Sequence, residues 1–195
     1  MDAKAKPARR MGQKGSAVWH SMLDGAETIL RDEGHAKLTS RRVAEVIGVK
    51  QRLVYYYFQT MDEVVVETFR RLADRELVRL REAASVARPL RELWNLCIHT
   101  TDARITLEFM ALANHNADLR GEVVNFIETS RGIQSAALAE ALARERGTRQ
   151  LSADALALFA TSLALALTRE HPLGISLGHQ DALDMVDRFV RQIEA

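Results

Sequence analysis

The tightest constraint on this chain lies between Ser40 and Gln59. There Gly48 separates two short apolar-patterned segments, with Ala44 one helical turn before it and Val43, Ile47, Val49, Val54 and Tyr57 around it. Two helices that cross at about 90–120° over a tight turn make local demands. The turn needs a residue that accepts positive φ, and the close approach needs a small side chain. Gly48 and Ala44 meet these demands, and the five apolar residues fall where the helices must wedge together. The window predicts a helix-turn-helix. A helical hairpin buried in a larger bundle would satisfy the same geometry. It would not explain why the second helix is so rich in polar and aromatic groups.

The rest of the chain is helical in pattern. Only three prolines and ten glycines punctuate 195 residues. Ala, Leu, Glu and Arg dominate, which favours helix over sheet, and a hydrophobic content of 47% is ample for a core. No segment alternates with period two. About nine helices are expected. The first carries Trp19, Met22, Leu23, Ala26, Ile29 and Leu30 on one stripe and stops at Gly34. The second follows Thr39 as N-cap, the third covers Gln51–Phe58, and Asp62 opens a long fourth. Further helices span Leu90–Thr100 behind Pro89, Asp102 (as cap) to Asn114, Leu119–Arg146 closed by Gly147, 153–169 behind Ser152, and 180–194. Residues 115–118 read as a turn, and His171–Gly174 as a break. The expected organisation is a flexible basic arm over 1–16, a helix-turn-helix domain over 17–60 and a helical regulatory and dimerisation domain over 61–195.

The net charge of +1 conceals an asymmetry. Residues 1–60 hold eleven Lys and Arg against six Asp and Glu, a balance of +5, and the remainder balances at −4. A basic end on an otherwise acidic chain points to a polyanionic partner at that end. Cys97 is the sole cysteine, which excludes an internal disulfide and fits a reducing cytoplasm. No apolar run follows the basic N-terminus, so no signal peptide is expected. The most apolar stretch, Ala155–Thr168, is shorter than the roughly 20 residues a membrane span requires. His99, His115, His171, His179 and Cys97 lack metal-ligand spacing. No phosphate loop or nucleophile elbow is present. Neither a metal, a cofactor nor an enzymatic activity is expected.

The run beginning at Leu38, LTSRRVAEVIGVKQRLVYYYFQTMDEVV, resembles the TetR family of bacterial regulators. The matching features are the Leu-Thr helix start, Arg41, the Val-Ala pair, Gly48-Val49, Tyr55-x-Tyr57-Phe58 and Thr60-x-Asp62, with Glu33-Gly34 ending the preceding helix. The resemblance implies that the start of the second helix and the whole of the third enter the major groove of double-stranded DNA. By position it assigns DNA contacts to Thr39, Ser40, Arg41, Lys50, Gln51, Arg52, Tyr55, Tyr56, Tyr57 and Thr60. The chemistry agrees: Arg reads guanine, Gln pairs with adenine, and hydroxyls hold phosphates. The family usually has Lys where Met61 stands. Lys50, Arg52 and the basic arm are available to replace that phosphate contact.

The helix over 153–169 is apolar almost all round, and the 180–194 helix has one apolar face. Such surfaces predict a two-fold bundle with a second copy. The expected interface is Leu156, Phe159, Leu163, Leu167, Val186, Phe189 and Val190. A homodimer would read a near-palindromic operator. Residues 90–146 carry helices with more than one apolar face and scattered polar groups, among them Asn95, His99 and Gln134. That composition describes a pocket for a mainly apolar effector as well as it describes an ordinary core. The resemblance favours the pocket, with Trp94, Cys97, Ile98, Phe109, Met110, Asn114, Phe126 and Ile127 as its walls. The competing reading is an all-α small-molecule-binding protein or enzyme whose N-terminal hairpin is only structural. It leaves the basic first 60 residues unexplained.

Overall fold

The computed structural model describes residues 12–99, 103–144 and 152–194. Among the described residues there are nine α-helices and no strand: α1 Ala17–Asp32, α2 Ser40–Val46, α3 Gln51–Tyr57, α4 Met61–Ala84, α5 Pro89–His99, α6 Ala103–Ala113, α7 Ala117–Arg144, α8 Ala153–Glu170 and α9 His179–Ile193. The all-α expectation and the helix count hold. The chain divides into two compact units, Met1–Arg70 and Arg71–Ala195, and the boundary falls within α4.

In the first unit, Ser16 starts α1 by accepting a hydrogen bond from Trp19 N at 3.3 Å. The helix buries Met22, Leu23, Ala26, Ile29 and Leu30, with Val43, Val54, Phe58 and Val64 in the same unit's core. Trp19 stacks on Phe58 with centroids 6.1 Å apart. Thr39 caps α2 as expected, its hydroxyl accepting from Arg42 N at 3.1 Å. The α2 end is a Schellman motif: Val49 N donates to Ala44 O at 2.9 Å and Gly48 N to Glu45 O at 3.3 Å. The motif needs a left-handed residue, and Gly48 has φ +71°.

Two expectations change here. Thr60, not Asp62, opens α4. Its hydroxyl accepts from Glu63 N at 3.1 Å while the Glu63 carboxylate accepts from Gln59 N at 2.7 Å, a capping box shifted by one residue. The expected flexible arm is also too long. Residues 1–11 lie outside the described residues, but 12–16 make specific contacts. Gly12 N donates to Tyr56 O at 2.8 Å. The Lys14 ammonium pairs with Glu67 at 2.7 Å and lies 5.9 Å from the centre of the Trp19 ring.

The second unit has two buried clusters. One joins Leu77 and Leu80 of α4, Leu90 and Leu93 of α5, Ala137, Leu138, Ala141 and Leu142 of α7, Ala157 of α8, and Val190 and Ile193 of α9. The other joins Trp94, Ala164 and Leu167. Asn116, expected in a turn, caps α7 by accepting from Leu119 N at 2.9 Å, so that helix starts two residues early. Ser152 caps α8 as expected, accepting from Ala155 N at 3.2 Å. The expected Asp102 cap and Gly147 stop lie outside the described residues. Among the described residues, no helix is long and apolar enough to cross a membrane.

Candidate nucleic-acid interface

The α2–α3 turn fixes which face α3 presents. Val54 is 1% exposed and points into the core, as does Phe58 just past the helix end. Gln51 and Arg52 are exposed, as are Tyr55 and Tyr56. Lys50, the N-cap residue of α3, is exposed too. One face of a seven-residue helix is anchored, and the other offers an ammonium, a guanidinium, an amide and two phenols. Tyr57 is partly buried. A Cβ on Gly12 would fall 2.4 Å from its ring, so Tyr57 is a packing residue in contact with that segment.

The start of α2 adds further cations. A surface groove is lined by Ala36, Lys37, Thr39, Arg41, Arg42 and Glu45. Arg41 is largely exposed and pairs with Glu45 at 2.9 Å. Arg42, absent from the expected set, grips Glu33 at 2.8 Å. The hydrogen bonds from Arg42 hold the Glu33 carboxyl below its ordinary range, and those from Arg41 and then Arg42 do the same to Glu45. These arginines are therefore aimed in advance by carboxylates. A phosphate can compete for them.

Ser40 departs from expectation. It is 4% exposed, not the open position expected of a DNA contact. Its hydroxyl accepts from Gln51 Nε2 at 2.9 Å and shares a hydrogen bond with the Tyr55 hydroxyl at 3.0 Å. A first-turn serine followed by an exposed arginine reads as a surface contact in sequence, and only the packing of α3 reverses that. Thr39 and Thr60 are exposed, but their oxygens already serve as helix caps.

The expected effector residues fall in the second unit. Trp94 and Phe109 are buried, and Cys97, Ile98, Met110, Phe126 and Ile127 are partly buried. Asn114 does not fit the set: it is exposed at the α6–α7 turn, where its carbonyl accepts from Arg120 at 2.7 Å. Gln134 is buried and donates from Nε2 to Cys97 Sγ at 3.6 Å, while its Oε1 accepts nothing. Burial, with the nearby Glu76 charge, pushes the Cys97 thiol up to about 11. Among the described residues, no group of three His, Cys, Asp or Glu side chains could hold a metal ion.

The expected pairing surface also needs correction. Leu167 and Val190 are buried inside the unit's own clusters, so they are core and not interface. Leu156, Leu163, Val186 and Phe189 are partly buried against the same clusters. Phe159 alone of the expected set is freely exposed, at 68%. Outward lie Leu158 and Phe159 on α8 and Met185 on α9.

An all-α fold with an anchored, outward-facing third helix has the geometry of a helix-turn-helix. Residues 22–68 match the family described as bacterial regulatory proteins, tetR family. About nine tenths of the chain is similar in fold to solved transcriptional regulators. One from Rhodococcus sp. Rha1 is 22% identical, with 89% of this chain and 95% of that chain covered at a TM-score of 0.71. A TetR transcription regulator from Haloarcula marismortui is 17% identical over 90% and 95% of the two chains, at 0.70. A protein from Saccharomonospora viridis solved in complex with choline is 16% identical over 88% and 94%, at 0.73. No curated protein matches the sequence. Residues 22–68 are thus similar to the tetR-family model, and the fold is shared with these solved structures.

Proposed function

We propose that this chain is a cytoplasmic, sequence-specific transcriptional regulator without enzymatic activity, a repressor released from a near-palindromic operator by a small, mainly apolar effector. The observation that carries the reading is the division of α3, with Val54 in the core and Gln51, Arg52, Tyr55 and Tyr56 outside. A purely structural hairpin has no reason to expose that set. The basic balance of the first 60 residues supports a phosphate-rich partner. Residues 17–60 are the DNA-reading domain and 61–195 the regulatory one, with α4 as the continuous element that carries residues of both units.

In the regulatory part, the buried Trp94 and Phe109 and the partly buried Phe126 are the kind of apolar side chains that suit a small apolar molecule. A choline-bound structure of the same fold supports a small-molecule role for such a domain. Two copies would pair through the outer faces of α8 and α9, and a near-palindromic operator would present its half-sites about 34–36 Å or a multiple apart on one DNA face.

The decisive experiment is selection from random double-stranded DNA, followed by mobility shift with the enriched site. An enriched palindrome bound with steep salt dependence supports the reading, and no enrichment sinks it. Effector control is tested by reciprocity. A compound that raises the melting temperature must bind less tightly when operator is saturating. Unchanged affinity would refute the coupling.

A further inference from the structure

Ser40, Gln51 and Tyr55 form a hydrogen-bond chain. Gln51 Nε2 donates to Ser40 Oγ at 2.9 Å, and the Ser40 and Tyr55 hydroxyls share a hydrogen bond at 3.0 Å. Each group's remaining capacity follows from its inventory of hydrogens and lone pairs. When Ser40 donates to Tyr55, the Tyr55 hydrogen is left for a partner outside, and its side chain is 38% exposed. Gln51 is left with its carbonyl oxygen and one amide hydrogen, also on the exposed face. One acceptor–donor pair is thereby presented outward at Gln51, and one hydroxyl able to donate at Tyr55. The first matches a base edge such as adenine, which offers a donor and an acceptor side by side. The second matches a phosphate oxygen.

The centre of the chain is buried, Ser40 being 4% exposed, while both of its partners lie on the surface. It joins the N-terminal turn of α2 to both α3 residues, in a setting shielded from water on its own side. Hydrogen bonds in such a chain polarise one another and restrict one another's rotamers. Without Ser40, the Gln51 amide would be free to rotate and to swap its oxygen and nitrogen. The base edge it selects would then be less defined.

We propose that Ser40 is a positioning residue that holds Gln51 and Tyr55 as one DNA-reading unit, so that base discrimination at the Gln51 position depends on a buried hydroxyl. The proposal rests on the DNA-binding reading above. It adds that a phosphate contact and a base contact are coupled through a buried serine.

The test is the base-preference profile of the full chain, measured by selection from random DNA for wild type, Gln51→Ala, Ser40→Ala, Ser40→Thr and Tyr55→Phe. Gln51→Ala identifies the position that Gln51 reads. Ser40→Ala is expected to lower discrimination at that same position about fivefold, the worth of one hydrogen bond, and to leave other positions unchanged. Gln51→Ala added to Ser40→Ala should then cost little more at that position. Ser40→Thr, which restores the hydroxyl, should recover the profile. Tyr55→Phe alters an exposed side chain and keeps the test alive if Ser40 variants fold poorly. It should weaken binding to all sites and also relax the Gln51 position. Ser21→Ala, which removes a hydroxyl bonded to its own helix at Ala17 O, serves as the control for hydroxyl loss in general. A Ser40→Ala or Tyr55→Phe profile that keeps full discrimination at the Gln51 position, with only uniform weakening or a lower melting temperature, overturns the relay and leaves DNA binding intact. Failure of the wild type to enrich any sequence overturns the DNA-binding reading, and the relay with it.

Discussion

The Glu194 carboxylate accepts hydrogen bonds from the backbone nitrogens that open α5: Leu90 N at 2.6 Å and Arg91 N at 3.2 Å. A residue just past the end of α9 thus caps a helix 104 positions earlier. Pro89 at the first position of α5 lacks an N–H, so these two are the first orphan donors of the helix. A negative charge is also favourable there against the helix dipole. The Arg91 guanidinium, at 2.5 Å from Asp187, ties the same two helices a second time. Glu194→Ala should therefore lower unfolding free energy by about 1–2 kcal/mol, and Glu194→Gln by less. Urea denaturation of the two variants checks this, and equal losses would mean that the charge contributes nothing.

Acid should destabilise the chain through identifiable carboxylates. Arg91 holds Asp187 low, His179 and then Arg169 hold Glu170 low, and Arg41 and Arg42 hold Glu45 and Glu33 low. Each has a folded pKa below its unfolded value, so its contribution is present above about pH 4 and is lost as pH falls through the folded value. Glu76 runs the other way: burial raises it, so its contribution is lost as pH rises. Four lowered groups against one raised group predict a urea midpoint that falls from pH 5 to pH 3. Asp187→Asn should shrink that fall. A midpoint independent of pH over this interval would remove these pairs from any account of stability.

On DNA, the exposed residues should separate by kind. Arg41→Ala and Gln51→Ala should each cost about 1–3 kcal/mol and relax one base pair. Lys50→Ala should weaken all sequences alike and reduce the slope of affinity against salt by about one. Titrations across a salt series distinguish these effects. A Lys50→Ala variant with altered base preference and an unchanged slope would assign Lys50 to base reading instead.

The exposed Phe159 gives the sharpest test of pairing. At 68% exposure it contributes little to its own unit, so Phe159→Glu should leave the melting of a monomer nearly unchanged. In a dimer joined through α8 it would bury an unpaired charge. Sedimentation at micromolar concentration should show a wild-type dimer and a Phe159→Glu monomer. A variant that remains dimeric would move the interface off this face.

The legible parts of this molecule were the local ones. The α2–α3 turn could be read because a Schellman motif is closed within six residues and advertises itself by Gly48. The caps Thr39 and Ser152 act three residues away and were equally readable. What could not be read depends on distant partners. Glu194 finds α5 across a hundred residues, and the Ser40 hydroxyl finds its partners Gln51 and Tyr55 on the next helix. The burial of Leu167 on α8 is illegible for a related reason. A helix apolar all round carries no periodic signal to say which stripe meets α5 and α7 and which stays outside.

Two glycines in helices should respond to alanine in opposite directions, because their surroundings differ. Alanine is the better helix former by about 1 kcal/mol, so an open helical glycine is a site for stabilisation. Gly132 lies in α7, and a Cβ there meets nothing within 4 Å. Gly132→Ala should raise stability by about 0.4–1 kcal/mol. Gly25 lies in α1 and is buried against α2. A Cβ there would stand 2.8 Å from Ile47 Cγ2, 3.5 Å from Val46 Cγ1 and 3.8 Å from the Val43 carbonyl oxygen. The Ile47 methyl is a branch at the β-carbon, so it clears only if the stiff χ1 leaves its preferred rotamer or the end of α2 shifts. Overpacking of this kind costs about 1–3 kcal/mol and outweighs the helix-propensity gain. Gly25→Ala should therefore lower the melting temperature. It should also weaken DNA binding more than its stability loss explains, because α2 carries Arg41 and anchors α3 through Ser40. Measuring both variants by thermal denaturation and by mobility shift separates the effects. A Gly25→Ala protein that is stabilised like Gly132→Ala would show that α1 and α2 do not pack at this distance in solution.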